Sequence, residues 1–163
     1  MAHRPGSTGN TAEGASATLT LMFRTKDVLT GWNWLYKSSL FNITSGQALS
    51  SASQMGFFSS QDVAWGTTSL DIVAATDYLL QIRKTGDSFV WLLRDLATEI
   101  EQVDTTVDTT TTGIVASIGL SDAQSGFEGM KISHCIEFLS VDEDDCEAVR
   151  TWMLQKYTGE DVE

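Results

Sequence analysis

Proline is almost missing from this chain: Pro5 is the single one in 163 residues. With Thr and Ser abundant, that suits β structure with solvated loops better than helices. Cysteine is nearly as scarce. Cys135 and Cys146 form no CxxC and show no metal-type spacing, so two buried thiols in a reduced chain are expected rather than a disulfide. Basic residues are few, with 10 Lys plus Arg against 22 Asp plus Glu and a net charge of −12. Phosphate backbones and anionic lipid both require clustered cations, so nucleic acid and membrane surfaces are excluded as expected partners. Solubility, or docking onto a basic partner, stays open. No apolar run approaches the roughly 20 residues that span a bilayer. Met1 to Gly14 has no apolar h-region, so no secretory leader is expected, and the sequon Asn42-Ile43-Thr44 is read as chance.

What the chain does have is aromatic bulk, five Trp and seven Phe, within a length that suits one domain with one sizeable core. The clearest element is the stretch Asp77 to Arg94. Tyr78, Leu80 and Ile82 alternate with Leu79, Gln81 and Arg83; after Thr85-Gly86-Asp87, Phe89, Trp91 and Leu93 alternate with Val90, Leu92 and Arg94. Period-2 alternation on both sides of a short glycine-containing break predicts an antiparallel hairpin. The face made by Tyr78, Leu80, Ile82, Phe89, Trp91 and Leu93 is apolar enough to need a second layer, which predicts two sheets packed face to face. The other face is mixed and is expected to be partly covered as well.

Around this hairpin the chain reads as short strands. Residues 1–16 are small and polar around isolated charges, a composition that predicts a flexible N-terminal arm suited to clasping a neighbour. The domain proper is 17–163. Strands are predicted over Ala17–Arg24, Trp32–Lys37, Leu40–Thr44, Met55–Ser59, Asp62–Trp65, Ser69–Ala74, Ala97–Val103, Gly113–Leu120 and Met130–Leu139, with Asp104–Thr112 as an exposed loop. Strands at this spacing describe an all-β fold, an antiparallel sandwich or jelly roll. In the strand Met130–Leu139, alternation puts Ile132, His134, Ile136 and Phe138 on one face. The ending differs: Asp142 is placed as an N-cap, and Cys146, Val149, Trp152, Met153 and Tyr157 make an apolar stripe at helical spacing. With Gly159 as the C-cap, a helix over about 143–157 follows.

Phe127-Glu-Gly129, the strand Ile132 to Phe138, the cap Asp142 and Trp152-Met-Leu-Gln-Lys-Tyr157-Thr-Gly159 together resemble the ending of concanavalin A-like lectin/glucanase domains, the laminin-G-like jelly rolls. Ala17 to Lys37 looks like the opening strand pair of such domains and Tyr78 to Arg94 like their central hairpin. His134 departs from the Glu often found there, and Arg94-Asp95 from a frequent Asn-Gly turn. Stand-alone domains of this look are similar to those of bacteriophage structural proteins. The resemblance therefore implies a non-enzymatic virion protein, a capsid decoration or tail-associated subunit. Its implied partners are other virion or capsid proteins, reached through the arm and as an oligomer, and cell-surface glycans.

No residue set declares a reaction. Glycosidases of this fold class carry alternating carboxylates on one strand, and the nearest match is Glu99-Ile-Glu-Gln-Val-Asp104; Glu99 and Glu101 on one strand would lie about 7 Å apart. The middle Asp is missing, so a solvated strand face is the expectation and a glycoside hydrolase the remoter alternative. Asp62, Asp71, Asp77, Asp104, Asp108 and Asp122 fall near strand ends, where lectins of this fold often hold Ca²⁺, but no compact loop motif joins them and no cofactor is expected. Trp34 and Trp65 are the candidates for a glycan-stacking platform, and a glycan-binding module is the main alternative function. His134 is read as a hydrogen-bonded core histidine.

Overall fold

The structure is a computed structural model, and it describes residues 16–29, 33–38, 40–45, 53–59, 64–107, 117–118 and 131–159. Among the described residues, ten strands and one helix follow in order: β1 (Ser16–Arg24), β2 (Asn33–Lys37), β3 (Asn42–Ser45), β4 (Gln54–Ser59), β5 (Ala64–Asp71), β6 (Asp77–Thr85), β7 (Ser88–Asp95), β8 (Glu101–Val107), β9 (Ser117–Ile118), β10 (Lys131–Phe138) and α1 (Glu143–Thr158). They form two antiparallel sheets, β10-β1-β6-β7-β8 and β5-β4-β3-β2-β9. Ser16 opens β1, and the remainder of the predicted arm, 1–15, lies outside the described residues.

The hairpin β6–β7 pairs Tyr78 with Asp95 at its open end and Thr85 with Ser88 at the turn, where Gly86 takes φ 58. That left-handed conformation is open to glycine at little cost and lets the strands keep their right-handed twist across a two-residue connection. The predicted inner face is the core: Tyr78, Leu80, Ile82, Phe89, Trp91 and Leu93 are all buried, in one cluster with Leu19, Leu21 and Phe23 of β1. The same cluster holds Leu35 of β2, Met55 of β4 and Leu70 of β5, so the two sheets share a single apolar interior. Trp91 is fully buried, and its indole N–H donates to Thr106 Oγ1 at 2.7 Å, which removes the penalty of hiding a polar group. Phe57 of β4 stacks on Phe89 with centroids 6.4 Å apart and rings 7° from parallel. Its partner across β4–β5 is Gly66, where any Cβ would overlap the Phe57 ring.

The outer face of the β10-β1-β6-β7-β8 sheet carries α1. Asp142 caps the helix by accepting the Asp144 N–H at 3.0 Å, three acids fill the first turn, and Gly159 ends it at φ 76. Glu143 pairs with Arg83 at one end of β6, and the Tyr157 hydroxyl meets Asp77 at the other, at 3.2 Å. Helix and strand match in length: the fourteen steps from Glu143 to Tyr157 rise about 21 Å, and the six steps from Asp77 to Arg83 span about 20 Å. Met153 packs against the buried Met22 and Leu79, with Ile136, Val149 and Leu154 around them.

Four expectations change. Ala64-Trp65 and Ser69–Asp71, expected in two strands, belong to the single β5, because Gly66 and Thr67 continue the ladder opposite Phe57 and Gly56, and Ile72 to Ala74 lie beyond its end. The strand expected at Ala97–Val103 starts at Glu101 instead, since Asp95 Oδ1 accepts the N–H groups of Ala97 (2.8 Å) and Thr98 (3.1 Å) and winds that segment into a turn. Asp104 to Val107, expected in a loop, completes β8, whose Val103, Thr105 and Val107 continue the alternation. Last, Ile132, His134, Ile136 and Phe138 do not share a face. A bulge shifts the register so that Phe23 opposes Ile132 while Met22 opposes His134, and Ser133 is the extra residue. Ile132 and Cys135 turn to the core; His134 and Ile136 turn outward, toward α1.

Candidate functional site

Three polar constellations meet elements that are distant in sequence. The first lies beneath α1. Gln81 of β6 is buried, and its amide N–H groups donate to Thr20 Oγ1 and to the Cys146 carbonyl, both at 3.0 Å, while its oxygen accepts from Arg150 at 2.8 Å. Arg150 also reaches Glu143 at 3.0 Å, and Arg83 pairs with the same carboxylate. The Arg150 hydrogen bond and the Arg83 charge hold the Glu143 carboxyl below its ordinary value. Thr18, fully buried, donates to the Ser140 carbonyl at 2.6 Å and sits 3.4 Å from Cys146 Sγ. The bonds from Gln81 to Cys146 and Arg150, and from Arg83 to Glu143, seat the helix on β6.

The second crosses the core at the β10 edge. Tyr36 of β2 donates to Glu137 Oε2 at 2.7 Å, and burial followed by that carboxylate pushes the phenol far above its usual value. Burial and the nearby Glu137 charge push the Cys135 thiol up to about 11. Both cysteines are free thiols. A thiol at that value is protonated at neutral pH and is a poor nucleophile.

The third converges on Arg94. Glu99 does not share a strand face with Glu101: it sits in the turn before β8 at φ 61, and both carboxylates close on one guanidinium, at 3.6 and 3.2 Å. The spacing expected of a two-carboxylate pair on one strand is thus replaced by an ion-pair cluster. Its neighbours on β8 join the two sheets. Asp104 accepts the Ser69 N–H at 2.6 Å, and Gln102 both accepts the Asp71 N–H and donates to the Asp71 carbonyl, at 2.8 Å each.

Asp77 pairs with Arg24 at 2.9 Å, while Asp62, Asp108 and Asp122 lie outside the described residues. Among the described residues no three His, Cys, Asp or Glu side chains are grouped to hold a metal. Trp34 and Trp65 belong to β2 and β5, and their side chains lie outside the described residues. His134 is not hydrogen-bonded as expected. Its ring meets the edge of Trp152, 5.9 Å away at 85°, and its buried Nδ1 has no partner among the described residues. Asp142 caps α1, whereas Trp152, expected on the helix's apolar stripe, is 37% exposed and lies beside His134. Nothing in the local pattern of Gln81 or Arg150 announces the other; the one signal is a Gln set among Leu79, Leu80 and Ile82.

No family model matches the chain, and neither a curated protein nor a solved structure does.

Proposed function

We propose that the chain is a non-enzymatic structural protein of a virion, a capsid decoration or tail-associated subunit built on a concanavalin A-like jelly roll. The observation that carries this reading is the order β10-β1-β6-β7-β8, in which the last strand lies beside the first and passes into a helix laid back over the same sheet. A last strand that runs into a terminal helix is what the likeness of the Phe127–Gly159 ending to the lectin-like domains of phage particles implies. The polar clusters support it, because Gln81, Arg150, Tyr36 and Glu137 spend their bonds joining elements to one another. A charge of −12 would also keep free subunits apart before assembly.

The test is co-sedimentation of the tagged full chain with purified particles, followed by localisation by electron microscopy. Stoichiometric retention at a defined site is expected. A chain that stays monomeric and remains in the supernatant overturns the reading. Binding on a glycan array that disappears in Trp34→Ala or Trp65→Ala, with or without Ca²⁺, would replace it with a glycan-binding module.

A further inference from the structure

The outer face of the β10-β1-β6-β7-β8 sheet is only partly roofed. α1 closes over Met22 and Leu79, but β8 beyond it keeps Val103 63% and Val107 70% exposed, with Ile100 before them at 63%. Between α1 and β7–β8 runs a groove of about 170 Å³. Its floor is Leu79, Leu92 and Leu154, and Val103 stands directly across the strand pair from Leu92, so the apolar surface is continuous from groove to rim. Glu101 and Arg94 form one wall, and Glu147, Arg150 and Thr151 the other.

The charges in this wall are unbalanced. Arg94 is held by Glu99 and Glu101, and Arg150 by Gln81 and Glu143, so both guanidiniums are already engaged. Glu147 has no ion pair or hydrogen bond among the described residues. With Arg83 also on Glu143, four carboxylates meet three guanidiniums around the groove, and Glu147 is the carboxylate left over. In addition, Arg94 Nε is buried without an acceptor. A phosphate or a carboxylate ligand would meet an excess of like charge, and a second copy of a chain at −12 is disfavoured for the same reason.

We propose that this groove docks a basic, apolar-flanked segment of a partner protein. The aliphatic stem of a lysine or arginine lies on Leu79, Leu92 and Leu154 with its cation at Glu147 and Glu101. An apolar neighbour covers Val103. This deepens the assembly reading above, on which the identification of the partner as a neighbouring subunit rests.

The experiment titrates the isotope-labelled full chain with a nine-residue peptide alternating Lys and Val, and with a control alternating Glu and Val, followed by amide chemical shifts. Shifts confined to Leu92, Arg94, Val103 and Thr151 are expected with the Lys peptide alone. Affinity should fall at least tenfold in Glu147→Lys and in Val103→Ser, with the melting temperature unchanged. No binding, binding of the Glu peptide, or shifts spread over the acidic surface and indifferent to Glu147→Lys overturns the proposal. Loss of peptide binding with particle association retained would remove the groove and leave the subunit reading intact. Groove binding without particle association would uphold the groove and remove that reading.

Discussion

Among the described glycines, Gly66 has the least room. It faces Phe57 across β4–β5, and the ring occupies the volume a side chain would take. Gly66→Ala should push Phe57 off its stack with Phe89 and destabilise the fold by about 1–3 kcal/mol, the usual effect of overpacking; urea unfolding measures it, and an unchanged midpoint would mean the ring has another place to go. Cys135 presents a different residue-scale consequence. Its thiol titrates near 11 rather than 9.0, so at pH 8 it carries about 100-fold less thiolate than an unperturbed cysteine. A thiol reagent should label it correspondingly slowly, and rapid labelling in the native state would show that the β10 edge opens. The raised value also sets a sign: stability is undiminished below the unfolded thiol's value and declines as pH rises from there toward 11.

At the scale of the element, α1 is held as much by polar bonds as by its apolar face. Gln81→Ala would strand an Arg150 N–H and the Thr20 hydroxyl under the helix, and a loss of about 1–3 kcal/mol is expected in urea unfolding. Glu143 adds a pH dependence. Its carboxyl is held below the ordinary range by Arg150 and Arg83, so its contribution is present above the unfolded value of about 4.3 and lost as pH falls through the folded one. Trp152 fluorescence should report loosening of the helix in acid, and Glu143→Gln should flatten that part of the curve. The helix was legible in the sequence because its signals are local: a cap at Asp142, an apolar stripe, a glycine at 159. The β6–β7 hairpin was legible for the same reason, since alternation and Gly86 lie within one short stretch. β8 and the face of β10 were not. The start of β8 is decided by Asp95 capping Ala97 and Thr98, which moves Glu99 off the strand, and the bulge at Ser133 is decided by pairing with β1, more than 100 residues away. The candidate site suffered more, because each cluster joins residues far apart in sequence.

For the whole molecule, the central fact is that one core serves two sheets, with Trp91, Phe89 and Phe57 bridging them. Where the sheets meet at β5 and β8, Gln102 and Asp104 bind the backbone amides of Asp71 and Ser69. Asp104 also accepts the Thr105 N–H at 2.7 Å. These are the positions through which a strand at a sheet border recruits a foreign strand. The two polar side chains therefore guard the chain against polymerising at high concentration. The double substitution Gln102→Ala with Asp104→Ala should leave the fold standing yet give thioflavin-positive fibrils on concentration, while the parent chain stays clear.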